Sequence, residues 1–198
     1  MDSYFKMISH DKNYTSTPIQ IGNDAQRLSK QLLESCGVNV NLCLHCGSCS
    51  SGCPFTEAMD LLPNHVLRLV QLNMEEKALQ CATIWTCVAC NTCSVQCPMA
   101  IDIPAMMDAL RQISIEQDVK IAEPDVLAFH REVLNSIEKY GRTHKVEIML
   151  RFKLKTRNYF SDLQTGMRML AKRKLDLSPS KIKNIAEVKS IFKTNRNL

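Results

Sequence analysis

The chain has 198 residues, 45% of them hydrophobic, and a formal net charge of +5, all ordinary for one folded domain with extensions. No stretch approaches the roughly 18 consecutive apolar residues of a membrane-spanning helix, and the first residues lack the basic start and apolar run of a secretory signal. We therefore expect no membrane span, and ten cysteines without such a signal predict a cytoplasmic, metal-binding protein.

The chain before the first cysteine motif predicts an arm followed by a helix. Residues 1–22 are polar and mixed, with a brief apolar–polar alternation at 18–22 that suits a short extended piece, and we assign them as an N-terminal arm. Asn23 or Asp24 can cap a helix over 24–36, and Gly37 can end it.

The dominant feature is a cysteine pattern, C-x2-C-x2-C-x3-C-P, that occurs twice. It places Cys43, Cys46, Cys49 and Cys53 before Pro54, and Cys87, Cys90, Cys93 and Cys97 before Pro98. This spacing is typical of [4Fe–4S] clusters, because three closely spaced thiolates can surround one face of the cluster. Two identical copies predict two [4Fe–4S] clusters as cofactors.

The fourth cysteine of each motif points away from its own loop, and in two-cluster ferredoxins it binds the other cluster. We therefore expect a crossed arrangement. Cluster 1 is assigned to Cys43, Cys46, Cys49 and Cys97, and cluster 2 to Cys87, Cys90, Cys93 and Cys53. Small residues beside these cysteines leave room for backbone N–H groups to approach the cluster sulfurs and tune the reduction potential.

Other metal chemistry fits less well. Structural zinc sites usually use two separated cysteine pairs, and disulfide frameworks belong to short secreted chains. Cys36 and Cys81 lie outside the motifs and are interpreted as structural residues. Trp85 is a core aromatic that also shields a cluster, or a core aromatic alone. His45 lies inside the first motif and can form a hydrogen bond near cluster 1, but we expect it to be an exposed loop histidine.

The segments around the second motif predict helices rather than the alternating strands of small βαβ-type ferredoxins. Between the motifs, one helix opens at Pro63 and another spans 75–81; after the second motif, helices span 103–118 and 123–140. Their methionines suit a core, and we expect the buried face of the last helix to contain Phe129, Val133, Leu134 and Ile137. Residues 23–140 are thus a mostly α, di-cluster domain.

Charge is divided unevenly along the chain. Residues 1–138 carry 9 Lys/Arg and 16 Asp/Glu, a balance of −7, whereas residues 139–198 carry 16 and 4, a balance of +12. We interpret 141–198 as a basic helical extension, with helices around 163–170 and from a Ser178 cap with Pro179 at the first position. It is either a solvated face or a docking surface for an acidic partner. Nucleic acid is not expected as a partner, since aromatic residues for base stacking are few.

The stretch Ile84-Trp85-Thr86, the second motif, residues 101–104 and an Arg-bearing helix at Leu110-Arg111 together resemble the α-helical ferredoxin family. Over residues 20–140, the length and layout are similar to the C subunit of heterodisulfide reductase from methanogenic archaea. The iron–sulfur subunits of succinate dehydrogenase and fumarate reductase carry an added C-x4-C-x2-C motif that this chain lacks. The catalytic B subunit of heterodisulfide reductase uses adjacent cysteine pairs, which are also absent.

The resemblance implies a non-catalytic electron carrier within an oxidoreductase complex. Electrons would pass one at a time from the flavin-containing A subunit to the B subunit, which reduces the coenzyme M–coenzyme B heterodisulfide in methanogenesis. A hydrogenase or a formate dehydrogenase can belong to the same assembly. No catalytic residue is predicted in the chain itself.

Three alternatives stay open from the sequence. The chain can serve another anaerobic dehydrogenase, acting on glycerol-3-phosphate, lactate, or succinate and fumarate. It can be a cluster-containing regulator that binds nucleic acid, or a zinc-bound structural module.

Overall fold

The computed structural model describes residues 27–156, 168–169, 172 and 181–196. Every regular element in these ranges is helical and none is a strand, which confirms the mostly α fold. The helices are α1 Arg27–Cys36, a 3-10 helix Val40–Leu42, α2 Ser48–Ser51, a 3-10 helix Thr56–Ala58, α3 Pro63–Gln71, α4 Glu75–Gln80, α5 Thr83–Thr86, α6 Thr92–Val95, α7 Ile103–Glu116, α8 Pro124–Tyr140, α9 Lys145–Thr156 and α10 Ile185–Arg196.

One hydrophobic core joins the helices on both sides of the cysteine motifs. Helix α7 lies at its centre and contacts α1, α4 and α5, while α3 contacts α1 and α4. Leu28 and Leu32 from α1 and Met106 and Leu110 from α7 are fully buried in it. Burial of each such side chain stabilises the fold by about 1.5–3 kcal/mol, so the core holds the helices that flank the two motifs in fixed relative positions.

Helix boundaries follow the local signals closely. Pro63 opens α3, and α7 begins with Asp102 accepting a hydrogen bond from the Ala105 amide. Helix α7 ends at Glu116 rather than at 118, because Asp118 adopts a left-handed φ of 52°. The described part of the first helix begins at Arg27, so the predicted caps Asn23 and Asp24, and the N-terminal arm, lie outside the described residues.

The predicted buried face of α8 is wrong. Phe129 is 38% exposed and Leu134 51% exposed, whereas Glu132, Ser136 and Tyr140 are buried. The reason is that α9 packs on the face of α8 that carries Glu132 and brings Lys155 to its carboxylate, at 2.5 Å between Nζ and Oε1. Phe129 instead packs edge to face on Phe152 of α9.

The last described helix begins at Ile185, so the helix predicted to open at Pro179 starts later. The Ile182 amide donates to the Tyr140 carbonyl, and its side chain fills the space where Gly141 has no Cβ. These contacts hold residues 181–184 outside a helix and dock α10 on α8. Ser178, Pro179 and almost all of the helix predicted at 163–170 lie outside the described residues.

Helices α9 and α10 both pack on α8, so part of the basic C-terminal third covers the chain's own helices. The domain boundary after residue 140 remains a prediction. Among the described helices, none combines the length and the apolar character needed to cross a bilayer.

We predict that Lys155→Met lowers the free energy of unfolding by up to roughly 3 kcal/mol, because it removes the ammonium group that pairs with the buried Glu132 carboxylate and leaves only Asn135 and the Arg151 charge to stabilise it. The hydrogen bond from Lys155 lowers the pKa of Glu132. The pair is therefore fully stabilising above about pH 4.3, the unfolded value for glutamate, and its contribution is lost as the pH falls through the lower native pKa.

Urea unfolding of the metal-loaded protein at several pH values measures this difference, and the exposed Lys189→Met on α10 is the matched control. Equal stability of Lys155→Met and Lys189→Met at neutral pH would contradict the role given to the pair.

Candidate metal centre

The two cysteine motifs fold into the same backbone conformation. His45 and Ala89, at equivalent positions 44 residues apart, adopt φ values of 54° and 52°, and Gly47 and Asn91 adopt 77° and 62°. After each left-handed turn the chain enters a one-turn helix, α2 or α6, which carries the third cysteine. The structure therefore contains two copies of one loop, and α2 packs against α6.

Each loop surrounds a cavity that the other motif completes. Cys43, Cys46 and Cys49 line one cavity together with Cys97, which we name the first cysteine set. Cys87, Cys90 and Cys93 line a second cavity together with Cys53, which we name the second cysteine set. Protein atoms leave about 340 Å³ free in the first and about 350 Å³ in the second, including space open to solvent. Buried Ile103 lines both cavities and so separates them.

The donor chemistry of each set suits an iron–sulfur cluster. A [4Fe–4S] cluster is held by four thiolates, and each set offers four cysteines around one cavity. No group of three or more His, Cys, Asp or Glu in the described ranges is arranged to hold a single metal ion.

The cysteines of each set differ in exposure in the same way. Cys49 and Cys93 are buried, whereas Cys46 and Cys90 are exposed. Burial raises the pKa of the Cys49 thiol and raises the pKa of Cys93 to about 11. Hydrogen bonds with the Ser48 and Thr92 hydroxyls lower the pKa of Cys46 and Cys90, respectively. Each cavity thus has one protected and one solvent-facing cysteine.

Side chains from the following helices hold the two loops, and no pattern in the sequence predicted these contacts. Gln71 of α3 donates from Nε2 to the Val40 carbonyl at 2.9 Å. Arg111 of α7 donates from Nε to the Ile84 carbonyl and from Nη2 to the Cys87 carbonyl. Val40 and Ile84 each lie three residues before the first cysteine of their motif. Aligning the segment after the first motif with the segment after the second motif, at an offset of 40 residues, pairs Gln71 with Arg111. This internal repeat is the sequence signal that could have identified the two residues.

A serine in each motif fixes the start of the following helix. The Ser50 hydroxyl donates to Asn64 Oδ1 at 2.6 Å and accepts from the Asn64 amide at 3.2 Å. In the second half, the Ile103 amide donates to the Ser94 hydroxyl at 3.2 Å. Residues of α3 and α7 consequently line the cavities beside the cysteines.

Asp60 ties the chain after the first motif to the chain before the second. Its carboxylate accepts from the Ala82 and Thr83 amides at 2.9 Å each and from the Thr83 hydroxyl at 2.7 Å. Burial alone would raise the pKa of Asp60, but hydrogen bonds from Thr83, Ala82 and Leu61 outweigh it and lower the pKa. Asp60 therefore stays ionised and fixes the approach to α5.

The remaining candidate residues lie apart from the cavities, with one exception. The thiols of Cys36 and Cys81 donate to the carbonyls of Leu32 and Ala78, and burial raises the pKa of Cys81 to about 11. Trp85 is buried in the core and lines neither cavity.

The exception is His45, which lines the first cavity. It is half-buried rather than exposed, because its Nε2 lies 2.7 Å from Gln71 Oε1. The expectation of an exposed His45 is therefore wrong.

Comparison with known proteins identifies the cysteine region. Residues 39–101 match the family model described as a 4Fe-4S dicluster domain. The range spans both cysteine motifs, the helices between them and the two cavities' cysteines.

Relatives of the chain share one description. The present chain is 26% identical over 141 residues to the C subunit of a ferredoxin:CoB-CoM heterodisulfide reductase of Methanosarcina acetivorans. The matched region covers 71% of this chain and 55% of that relative. The chain is 25% identical over 136 residues to an iron-sulfur C subunit of CoB–CoM heterodisulfide reductase of Methanocaldococcus jannaschii, covering 69% and 66%. A protein of Archaeoglobus profundus described as like the C subunit of heterodisulfide reductase is 27% identical over 117 residues, covering 59% of each chain.

The chain thus spans between half and two thirds of the length of these relatives. It carries a 4Fe-4S dicluster domain in a helical fold, and its resemblance to the C subunit of heterodisulfide reductase is confirmed.

Proposed function

We propose that the chain is an iron–sulfur electron-transfer subunit that holds two [4Fe–4S] clusters. Cluster 1 binds to the first cysteine set and cluster 2 to the second. The observation that carries this proposal is the pair of neighbouring cavities, each lined by four cysteines and separated by Ile103. Two clusters on either side of one side chain are close enough to exchange electrons.

The work of such a chain is to relay electrons one at a time. A cubane accepts one electron on reduction and gives it up on oxidation, with no covalent change in the protein. The names of the relatives support a heterodisulfide reductase complex as the setting. There, the flavin-containing A subunit supplies electrons, and the B subunit uses two electrons and two protons to reduce the coenzyme M–coenzyme B disulfide to two thiols. A hydrogenase or formate dehydrogenase can belong to the same assembly.

The surface around the cavities supports contact with neighbouring subunits. Leu44 and Val88 occupy equivalent positions in the two motifs and are 67% and 56% exposed. Each lies two residues before an exposed cysteine: Leu44 before Cys46, and Val88 before Cys90. Apolar side chains beside the solvent-facing corner of a cluster suit a protein interface that excludes water from the electron path. The basic extension at 141–198 provides a further docking surface in the cytoplasm through those side chains that do not pack on α8.

The crossed ligand sets make a specific prediction about substitutions. Cys97→Ser should damage the cluster in the Cys43 loop, as Cys46→Ser does, and leave the cluster in the Cys87 loop intact. Cys53→Ser should behave like Cys90→Ser. The reason is that each fourth cysteine lines the cavity of the other motif. Iron content and EPR of the anaerobically reduced protein measure which cluster signal is lost.

Cys36→Ser and Cys81→Ala are the matched controls, because these cysteines lie away from both cavities. Both should keep the full iron content of the wild-type chain. If Cys97→Ser and Cys90→Ser removed the same signal, the crossed assignment would be wrong. Zinc in place of iron would overturn the proposal itself.

The relay role is tested on the native complex. An anaerobic pull-down should recover a flavoprotein and a subunit with adjacent cysteine pairs, and Cys90→Ser should stop electron transfer from flavin to disulfide. Heterodisulfide binding to the complex should remain, since the substrate site lies on the partner. Full turnover without cluster 2 would contradict the relay, and partners of another dehydrogenase would change the substrate but keep the carrier.

A further inference from the structure

The two halves of the dicluster domain hold their cysteine loops with chemically different side chains. Gln71 donates to the carbonyl three residues before Cys43, and Arg111 donates to the carbonyl three residues before Cys87. The offset of 40 residues that relates them also relates Leu67 to Met107 and Pro63 to Ile103, which line the cavities. The two residues therefore occupy the same place in the repeat, and one is neutral while the other carries a permanent charge.

The charge of Arg111 lies in a protected position. Its side chain is 13% exposed, and the guanidinium also donates to the carbonyl of Cys87, a residue of the second cysteine set. Asp108 is the carboxylate that pairs with it, 3.7 Å from the guanidinium, but is 62% exposed. His130 of α8 also lies nearby, since burial and the Arg111 charge together lower its pKa.

The first cysteine set has no comparable buried cation among the described residues that contact its loop. Arg68 donates to Gln71 Oε1 at 3.2 Å, but Arg68 is exposed and so its field is screened by water and salt. His45 contacts the same Gln71 oxygen on the loop side. The contrast between the sites is thus a buried guanidinium at one and a neutral amide at the other.

A fixed positive charge beside an iron–sulfur cluster stabilises the reduced form, because reduction adds a negative charge to the cluster. Charge and hydrogen bonds near the cluster are among the factors that set its potential, and a charge screened less by water acts more strongly. Gln71 and Arg111 both donate to the carbonyl three residues before their motif, and Arg111 adds a second hydrogen bond, to the Cys87 carbonyl, and a positive charge. Both additions stabilise a more negative cluster, and Arg111→Lys separates the charge from the geometry of the guanidinium.

We propose that Arg111 is a positioning residue that makes cluster 2 the higher-potential member of the pair, so that electrons pass from cluster 1 to cluster 2. In this step reduced cluster 1 loses one electron and is oxidised, and oxidised cluster 2 gains that electron and is reduced. No bond or proton changes place in the chain. The inference rests on the proposed two-cluster function and assigns its direction, with donors on the Cys46 side and acceptors on the Cys90 side.

The test is an EPR-monitored redox titration of the metal-loaded full-length chain. Arg111→Gln, which introduces the residue of the other half, should lower the higher of the two midpoint potentials by about 59 mV, a tenfold shift in electron distribution between the clusters. The lower midpoint should stay in place. Arg111→Lys should keep the higher midpoint near the wild-type value, because the charge is retained.

Two further variants keep the result interpretable. Arg68→Gln removes an exposed cation beside the first loop and should move neither midpoint appreciably. Asp108→Asn removes the carboxylate that lies 3.7 Å from the buried Arg111 guanidinium and partly offsets its charge. Because Asp108 is itself exposed, this variant should raise the higher midpoint by less than Arg111→Gln lowers it, and it provides the test if Arg111→Gln loses iron. Titration at about pH 8.5, above the ordinary pKa of imidazole, keeps histidine charge from contributing.

Iron content separates failure of the direction from failure of the function. If wild type holds two clusters and Arg111→Gln moves the lower midpoint or neither, or Asp108→Asn moves neither, the direction assigned here is overturned and the relay stands. If wild type holds no second cluster, the proposed function fails and the inference fails with it.

Discussion

Each cavity in this protein is completed by a cysteine from the other motif, and the helical frame serves that constraint. Cys97 must reach the first loop and Cys53 the second. The two motifs are therefore held against each other through α2 and α6. The helices between the motifs, α3 to α5, pack into the same core rather than forming a separate layer. Asp60 strengthens this connection, because its carboxylate joins the exit of the first motif to the start of α5.

The frame also explains why helices suit this site. A cubane loop needs rigid supports on both sides, and α3 and α7 supply them along their lengths. The same helices place apolar side chains in the core and polar side chains against the loop carbonyls. Helices α3 and α7 thus fix both the core packing and the loop geometry, so a shift of either helix changes the position of the loop that it supports.

Much of this architecture could be predicted from the sequence, because cysteine spacing and helix-opening prolines are local signals. The helices at 63, 75, 103 and 124 begin where proline or acidic residues predict them. The face of α8 could not be predicted, since a buried ion pair with Lys155 outweighed its apolar periodicity. The half-buried His45 and the loop contacts of Gln71 and Arg111 depend on residues 24 to 31 positions away, and a local sequence pattern cannot predict contacts over such separations.

The near-symmetry of the two halves breaks down where they meet. Gly52 and Gln96 precede the last cysteine of each motif, and they face each other so closely that a Cβ on Gly52 would overlap Gln96 Oε1. A side chain at position 52 would therefore require the exposed Gln96 side chain to turn away. The two halves meet asymmetrically at this point, since one contributes a side chain and the other the space that it fills. The fit between the motifs thus depends on a residue pair whose members differ most where the two loops are otherwise most alike.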